Sequence, residues 1–267
     1  MSTRNSGPRA PWFLALPGLL AVAFLVVPLL ALLGQAPWEA FPRILTSPEA
    51  LEALRVSMVT SLTATAIAAV LGIPLAWLLA REVLPGTGVL RALVIVPLLL
   101  PPVVCGVALL TALGRRGLIG QFLYDGLGLQ LPFTTAGVVL AETFVAMPFL
   151  IITMEAGFRA LHQRYEDAAA TLGARPWTAF RRVTLPMVAP AAIAGLVLCW
   201  GRALGEFGAT ITFAGNFPGV TQTMPLAVYS AMERDRSVGI ALCIILLAVS
   251  VIVLVALRGR YLGTRAS

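Results

Sequence analysis

The chain has 267 residues, 19 of them basic and 12 acidic, and every basic residue is arginine. Hydrophobic residues make up 59 % and charged residues 12 %, against about 25 % charged in an ordinary soluble domain, and mean hydropathy is +0.92. So few charges could neither coat a water-soluble globule nor keep a chain disordered, and a pI near 10.3 makes no case for nucleic acid without a soluble basic face. The composition is that of an integral membrane protein.

A bilayer core is crossed by about 20 apolar residues in a helix. Five uncharged stretches reach or approach that length: Ala10–Trp38, Val56–Ala80, Ala92–Gly114, Val183–Gly201 and Ser237–Leu257. A sixth, over 135–157, is apolar apart from Glu142 and Glu155. Six spanning helices are therefore predicted, near 12–34, 56–80, 90–113, 135–157, 184–206 and 237–257. Strand-like alternation is absent, which excludes a spanning β-barrel. The predicted fold class is all-α and polytopic. The first stretch follows Arg4 and Arg9 and is followed by Gly34, Gln35 and Ala36, so a cleaved signal peptide is the alternative there. Its apolar run exceeds the roughly 7–15 residues of a signal core, and a retained helix is expected.

Orientation follows from where the arginines lie. With the N-terminus inside, Arg4, Arg9, Arg81, Arg91, Arg159, Arg164, Arg175, Arg181, Arg182, Arg258, Arg260 and Arg265 face the cytoplasm, against Glu82, Glu166 and Asp167. The outer loops balance Arg43, Arg55, Arg115, Arg116, Arg234 and Arg236 with as many acids. Both termini are thus expected inside. Cys105, Cys199 and Cys243 lie in apolar helices without metal spacing and read as small buried hydrophobes. His162, the only histidine, lies in a cytoplasmic loop without a second ligand nearby and is expected to be solvated. No catalytic residue, metal site or resident cofactor is predicted.

The loop joining the fourth and fifth helices, residues 158–183, is too long and too patterned to be a mere connector. Leu161, Tyr165, Ala168/Ala169 and Leu172 recur every three or four residues, one apolar stripe on a short helix, with Arg164, Glu166, Asp167 and Thr171 opposite. Gly173 suits the left-handed position that ends a helix, and Pro176 can open a second one ahead of Trp177, Phe180 and Arg181. A lipid-surface helix would carry a wide apolar face and a basic polar one. An alanine-rich stripe flanked by acids fits a protein groove better.

Past the loop, Arg202 and Glu206 stand four apart and can pair on one side of the fifth helix. Gly205, Gly208, Gly215, Pro218, Gly219 and Pro225 interrupt the helical pattern, and irregular backbone at membrane depth is tolerated only where it is buried in protein or lines a cavity. Thr210, Thr212, Asn216, Thr221, Gln222 and Thr223 add uncharged hydrogen-bonding groups. The segment reads as a gate, with Arg202–Glu206 either a structural ion pair, a pathway element or both. Pro97, Pro101 and Pro102 should bend the third helix, and Glu142 should pair within the bundle. Arg115 and Arg116 sit at the outer end, either as solvated charges or as contacts for an anion or a binding protein.

Asp167-Ala168-Ala169-x-x-x-Gly173, nine residues, then Val183-x-Leu185-Pro186 resembles the cytoplasmic Glu-Ala-Ala loop of ABC importer permeases, with Asp for Glu and Val for Ile. The resemblance implies a type I importer permease fold. Residues 1–50 would hold the cytoplasmic N-terminus, an added helix and the first outer loop. Residues 51–257 would form a five-helix core containing the coupling loop 158–183, with 258–267 as a cytoplasmic tail. It also implies that Tyr165, Glu166, Asp167, Ala168, Ala169, Leu172, Gly173, Leu185 and Pro186 serve a separate cytoplasmic ATP-binding subunit, which would hold the ATP and Mg. A second permease chain, a further copy in a homodimer or a related chain in a heterodimer, would complete the path. No phosphate loop of the Gly-x-x-x-x-Gly-Lys-Ser/Thr kind exists in a chain without lysine.

Pro97-Leu-Leu-Leu-Pro101-Pro102-Val-Val, Gly114-Arg115-Arg116-Gly117-Leu-Ile-Gly120 and Gly201-Arg202-Ala-Leu-Gly205-Glu206-Phe207-Gly208-Ala-Thr210-Ile-Thr212-Phe-Ala-Gly215-Asn216 resemble bacterial molybdate permeases. Sulfate permeases share the Leu-Gly-Glu-Phe-Gly segment. The resemblance implies import of molybdate or tungstate through a bacterial cell membrane, fed by an extracytoplasmic oxyanion-binding protein, with sulfate or thiosulfate as the alternative. Within the last stretch, the chemistry of the residues themselves marks Arg202, Gly205, Glu206, Phe207, Gly208, Thr210, Thr212 and Asn216 as the expected translocation pathway or gate. An ion-gradient-driven transporter would show two corresponding halves, and the loop occurs only once. A membrane enzyme would need clustered reactive groups that one histidine and no lysine do not supply.

Overall fold

The computed structural model describes residues 12–261, with side chains over 13–256. Arg4, Arg9, Arg258, Arg260 and Arg265, which entered the orientation argument, lie outside the described side chains. Among the described residues the secondary structure is entirely helical. Helix α1 (Trp12–Gly34) is followed by a short α2 (Phe41–Leu45), α3 (Pro48–Ala80), α4 (Thr87–Leu99), α5 (Pro102–Leu113), α6 (Gly120–Leu127) and α7 (Thr135–Ala160). The connecting loop holds α8 (Arg164–Thr171) and α9 (Pro176–Ala179). A π-turn (Phe180–Thr184) and α10 (Leu185–Met187) lead to α11 (Ala189–Leu204), α12 (Gly208–Ala214), α13 (Met224–Arg234) and α14 (Arg236–Tyr261). Four helices are long and apolar enough to cross a membrane: α1, α3, α7 and α14. The number rises to six if each of two bent pairs is one span. The all-α, six-span expectation holds in that sense.

The bends are sharper than a kink. The predicted third helix is two helices, α4 and α5, whose axes turn by 116° at Leu100–Pro101. A residue before proline is pushed towards extended geometry, and consecutive prolines apply this twice: Leu100 has ψ 141° and Pro101 ψ 137°. Pro102 then opens α5, where its missing N–H is not needed. The predicted fifth helix likewise bends by 75°, between the segment Pro176–Met187 and α11. Pro186 cannot donate to the turn before it, and the backbone widens there into the π-turn.

The helix starts are written locally. Ser47 accepts from Ala50 N at 3.3 Å with Pro48 following it, and Thr134 accepts from Gly137 N at 3.1 Å, each relieving an unpaired donor at the start of a long span. Helices α3 and α7 pack along much of their length, and α11 packs on both. Small residues permit the close approach: Ala64, Ala68 and Ala76 on α3 face Ala146, Leu150 and Met154 on α7, with Cys199 and Ala203 from α11. A Cβ on Gly195 would meet Leu150 Cδ1 at 2.9 Å, and one on Gly157 would meet Ala191 Cβ at 2.5 Å. Helix α1 lies at the periphery against α14, exposed along its length, where Arg236 donates to Gln35 Oε1 at 2.9 Å. The buried cysteines match the sequence reading for Cys105 and Cys199, while Cys243 is half-buried.

Candidate functional site

The loop after α7 forms a compact unit with one bound face and one open face. Glu166 and Asp167 sit in the first turn of α8, where the helix dipole favours acids. Gly173 takes φ +81°, and its N–H and that of Ala174 cap the α8 carbonyls of Ala170 and Ala169 at 2.9 and 3.0 Å. Leu172 is 88 % exposed and Trp177 68 %, with Ala168 and Asp167 also exposed and Tyr165 partly so. The predicted stripe is split: Leu161 turns into the core, Ala169 is half-buried, and the rest of the stripe faces outward.

The inward side is anchored by aromatic and ionic contacts. Phe180 stacks on Trp177 at 5.9 Å between ring centres and meets Phe158 at 6.3 Å and Trp77 at 6.5 Å. Glu166, expected on the solvated face, points the other way. It pairs with Arg81 at 3.0 Å and accepts from Thr184 Oγ1 at 2.9 Å. Its placement differs from the sequence reading because a buried cation just past the end of α3 lies beneath it. A cleft of about 230 Å³ opens beside this contact, bordered by Trp77, Glu166, Asp167, Ala170 and Phe180. Leu185 packs on the main core and Pro186 stays exposed. Nearby, Glu155 binds Arg91 at 2.7 Å and Arg159 at 3.2 Å, and both arginines also reach Glu82. His162 is exposed, as expected.

At the far end of α11 the chain breaks around Gly205. Arg202 pairs with Glu206 at 2.5 Å, and Glu206 Oε1 also accepts from Ala209 N at 2.6 Å, capping the start of α12. Glu206 is 1 % exposed, while the Arg202 side chain is a quarter exposed. Helix α12 lies against α5 so closely that a Cβ on Gly208 would meet Pro102 Cβ at 2.8 Å, and one on Gly106 would meet Thr212 Cβ at 2.6 Å. Thr212 donates to Gly208 O at 2.8 Å, and the buried Thr210 hydroxyl has no hydrogen-bond partner among the described residues. Asn216 is held by Gln222 and Ser230, both at 2.9 Å, and Gly215 takes φ +75°. Thr221 accepts from Phe217 N at 2.9 Å, and Phe207 packs on Tyr229. Of the predicted gate residues, Gly205 is exposed, Phe207 half-buried, and Gly208 closed by α5.

Glu142 finds its partner in Thr60 on α3, at 2.9 Å. Sequence reasoning missed Thr60, Thr184 and the bound role of Arg81. A hydroxyl in a small-residue helix and an arginine just past an apolar run carry no signal of which distant helix they meet. No group of three or more metal-type side chains gathers among the described residues.

A family profile described as "Binding-protein-dependent transport system inner membrane component" matches residues 72–266. The chain belongs to that family. This permease is 43 % identical over 250 residues to the "Molybdenum transport system permease protein ModB" of Mycobacterium tuberculosis (strain ATCC 25618 / H37Rv), covering 94 % of each chain. It is 42 % identical over 211 residues to the protein of the same name in Escherichia coli (strain K12), covering 78 % of this chain and 92 % of that one. The "Sulfate transport system permease protein CysT" of Escherichia coli (strain K12) is 32 % identical over 262 residues, covering 97 % and 94 %. A solved bacterial ABC transporter "involved in the import of the acidic polysaccharide alginate" shares the fold at 18 % identity, with TM-score 0.71 over 96 % of each chain. The permease is thus a membrane subunit of the ABC importer class, as its loop motif and six apolar stretches led one to expect.

Proposed function

We propose that this permease imports molybdate, with tungstate as a close competitor, by alternating access driven from a separate ATP-binding subunit. The carrying observation is the 43 % identity over 94 % of the chain to a molybdenum permease, against 32 % for the sulfate permease over a similar span. In this reading a homodimer crosses a bacterial cell membrane with both termini cytoplasmic. Residues 51–257 form the core, and 1–50 add a peripheral helix. ATP and Mg belong to the partner, since this lysine-free chain offers no phosphate loop of the usual form.

The exposed side of the loop, with Tyr165, Asp167, Ala168, Leu172 and Trp177, is what the ATP-binding subunit would grip; small side chains beside two large apolar ones suit insertion into a protein groove. Gly173 sets the angle between the two short helices. At the other end, the joint of α11, α12 and α5 supplies a gate. Its glycine contacts let helices slide at close range, and Arg202, partly exposed and half-neutralised by Glu206, attracts a passing oxyanion without trapping it. An extracytoplasmic binding protein delivers the substrate. The test is uptake of labelled molybdate into proteoliposomes that contain the permease with its ATP-binding subunit and binding protein. Uptake should require ATP and be suppressed by tungstate but not by equimolar sulfate. Preferential sulfate uptake would favour the sulfate reading, and uptake driven by an ion gradient without ATP would overturn the importer class.

A further inference from the structure

Arg81 follows the last residue of α3, and its side chain is only 7 % exposed. Its guanidinium ties two other segments to the end of α3 at once. Nη1 donates to Phe158 O and Leu161 O, both at 3.3 Å, the two carbonyls on either side of the end of α7. Nη2 donates to Glu166 Oε1 on α8 at 3.0 Å. That same oxygen accepts from Thr184 Oγ1, which is buried and stands two residues before Pro186 on the way into α11. One guanidinium and one carboxylate thus tie the ends of α3 and α7, the first short helix of the loop, and the approach to α11. A cation near helix C-terminal carbonyls is favoured by the dipole, and charge-assisted bonds to a fixed fork resist bending more than neutral ones.

We propose that Arg81, through Glu166, is the positioning residue that makes the loop move as one body with α3 and α7, so that force applied at its exposed face reaches the core spans. The idea rests on the importer reading above. Without the clamp, the loop would be held by apolar contacts, the Phe180 aromatic cluster with Leu161 and Leu185, and apolar contacts without direction let a short helix roll. With it, the exposed Leu172 and Trp177 and the buried α3–α7 pair stand at two ends of a continuous chain of ionic and hydrogen bonds. A buried ion pair is hard to break singly, because each half would be left desolvated and unpaired.

Two measurements test the clamp. In lipid nanodiscs holding the permease alone, amide exchange over residues 164–173 should rise at least tenfold in R81Q and E166Q, with α3 and α7 unchanged, and R81K should show a smaller rise. T184V, which removes a single donor, should raise it less than either. Unchanged exchange over 164–173 in both R81Q and E166Q overturns the clamp. In proteoliposomes with the ATP-binding subunit and binding protein, both variants should retain the subunit and its hydrolysis while oxyanion imported per ATP falls at least tenfold, with partial recovery in R81K. Import per ATP equal to wild type in both variants overturns the transmission role. A wild-type chain that imports no oxyanion counts against the importer reading instead, while the exchange measurement still decides the clamp.

Discussion

Thr60 Oγ1 donates a 2.9 Å hydrogen bond to Glu142 Oε1 across the α3–α7 contact, and both side chains are closed off from the surface. Glu142 Oε2 has no hydrogen-bond partner among the described residues. What the contact needs from Glu142 is an oxygen acceptor in the right place, and an amide supplies one. Glu142→Gln should leave the melting temperature of the purified permease unchanged or raise it. Thr60→Val leaves Glu142 buried and unpaired, a loss of about 1–3 kcal/mol, and Glu142→Ala, which leaves a cavity and only the longer Thr60 bond to Ser57 O at 3.4 Å, should destabilise as well. Thermal unfolding in detergent checks this. Equal destabilisation by Glu142→Gln and Glu142→Ala would show that the contact depends on the carboxylate itself.

How far the sequence reveals this molecule depends on the range of the interaction. Apolar runs report spans because lipid imposes one composition on every residue of a crossing, so 12–34 coincides with α1 and 135–157 lies within α7. The Asp167–Gly173 segment reveals a short helix and its end because capping and left-handed turns are local. Proline reveals that the third helix bends, but the 116° turn depends on what α5 packs against, namely α12, over a hundred residues later. Glu166 was misplaced for the same reason. Helical periodicity puts it opposite the apolar stripe, and only the fold brings Arg81 beneath it. The polar residues after α11 can be read off the sequence as a set, yet their pairings, such as Asn216 with Ser230 and Gln222, follow from tertiary geometry.

Gly173 has open space around a hypothetical Cβ, so its requirement is conformational, set by φ +81°. A left-handed residue with a side chain costs roughly 1–2 kcal/mol, and Asn tolerates the region better than Ala. Gly173→Arg should reorient the loop and add a bulky charge to its exposed face. Co-purification of the ATP-binding subunit should fall at least tenfold while the permease still inserts. Gly173→Asn should retain most of the binding. If Gly173→Arg binds the subunit and supports uptake at wild-type levels, the loop is not the docking element.

The α5–α12 contact should be intolerant of a single methyl group. A Cβ at Gly106 would stand 2.6 Å from Thr212 Cβ and 2.9 Å from Ala209 O, and the second neighbour is backbone that cannot rotate away. Overpacking of this kind costs about 1–3 kcal/mol. Gly106→Ala should lower thermal stability by that order and slow uptake more than it weakens binding of the ATP-binding subunit. Pairing it with Thr212→Ser, which removes a methyl but keeps both the hydroxyl bonded to Gly208 O and the Cβ that the new methyl meets, should recover little of the stability. Full recovery would mean that the Thr212 methyl, and not its Cβ or the Ala209 backbone, sets the cost.

Arg202 and Glu206 allow structural and pathway roles to be separated. Arg202→Ala alone leaves a buried carboxylate without its cation, at about 3–5 kcal/mol, so loss of transport in that variant would not identify the cause. Glu206→Gln keeps an acceptor for Ala209 N while removing the charge that needs a partner. The double variant Arg202→Ala/Glu206→Gln should therefore recover most of the melting temperature and still bind the ATP-binding subunit. If Arg202, through its exposed quarter, attracts the oxyanion, uptake by this stable double variant stays at least tenfold below wild type, and the deficit shrinks as the substrate concentration rises. Normal uptake by the double variant would instead make the pair a joint that fixes the break between α11 and α12, with the anion guided by the backbone and hydroxyl groups around it.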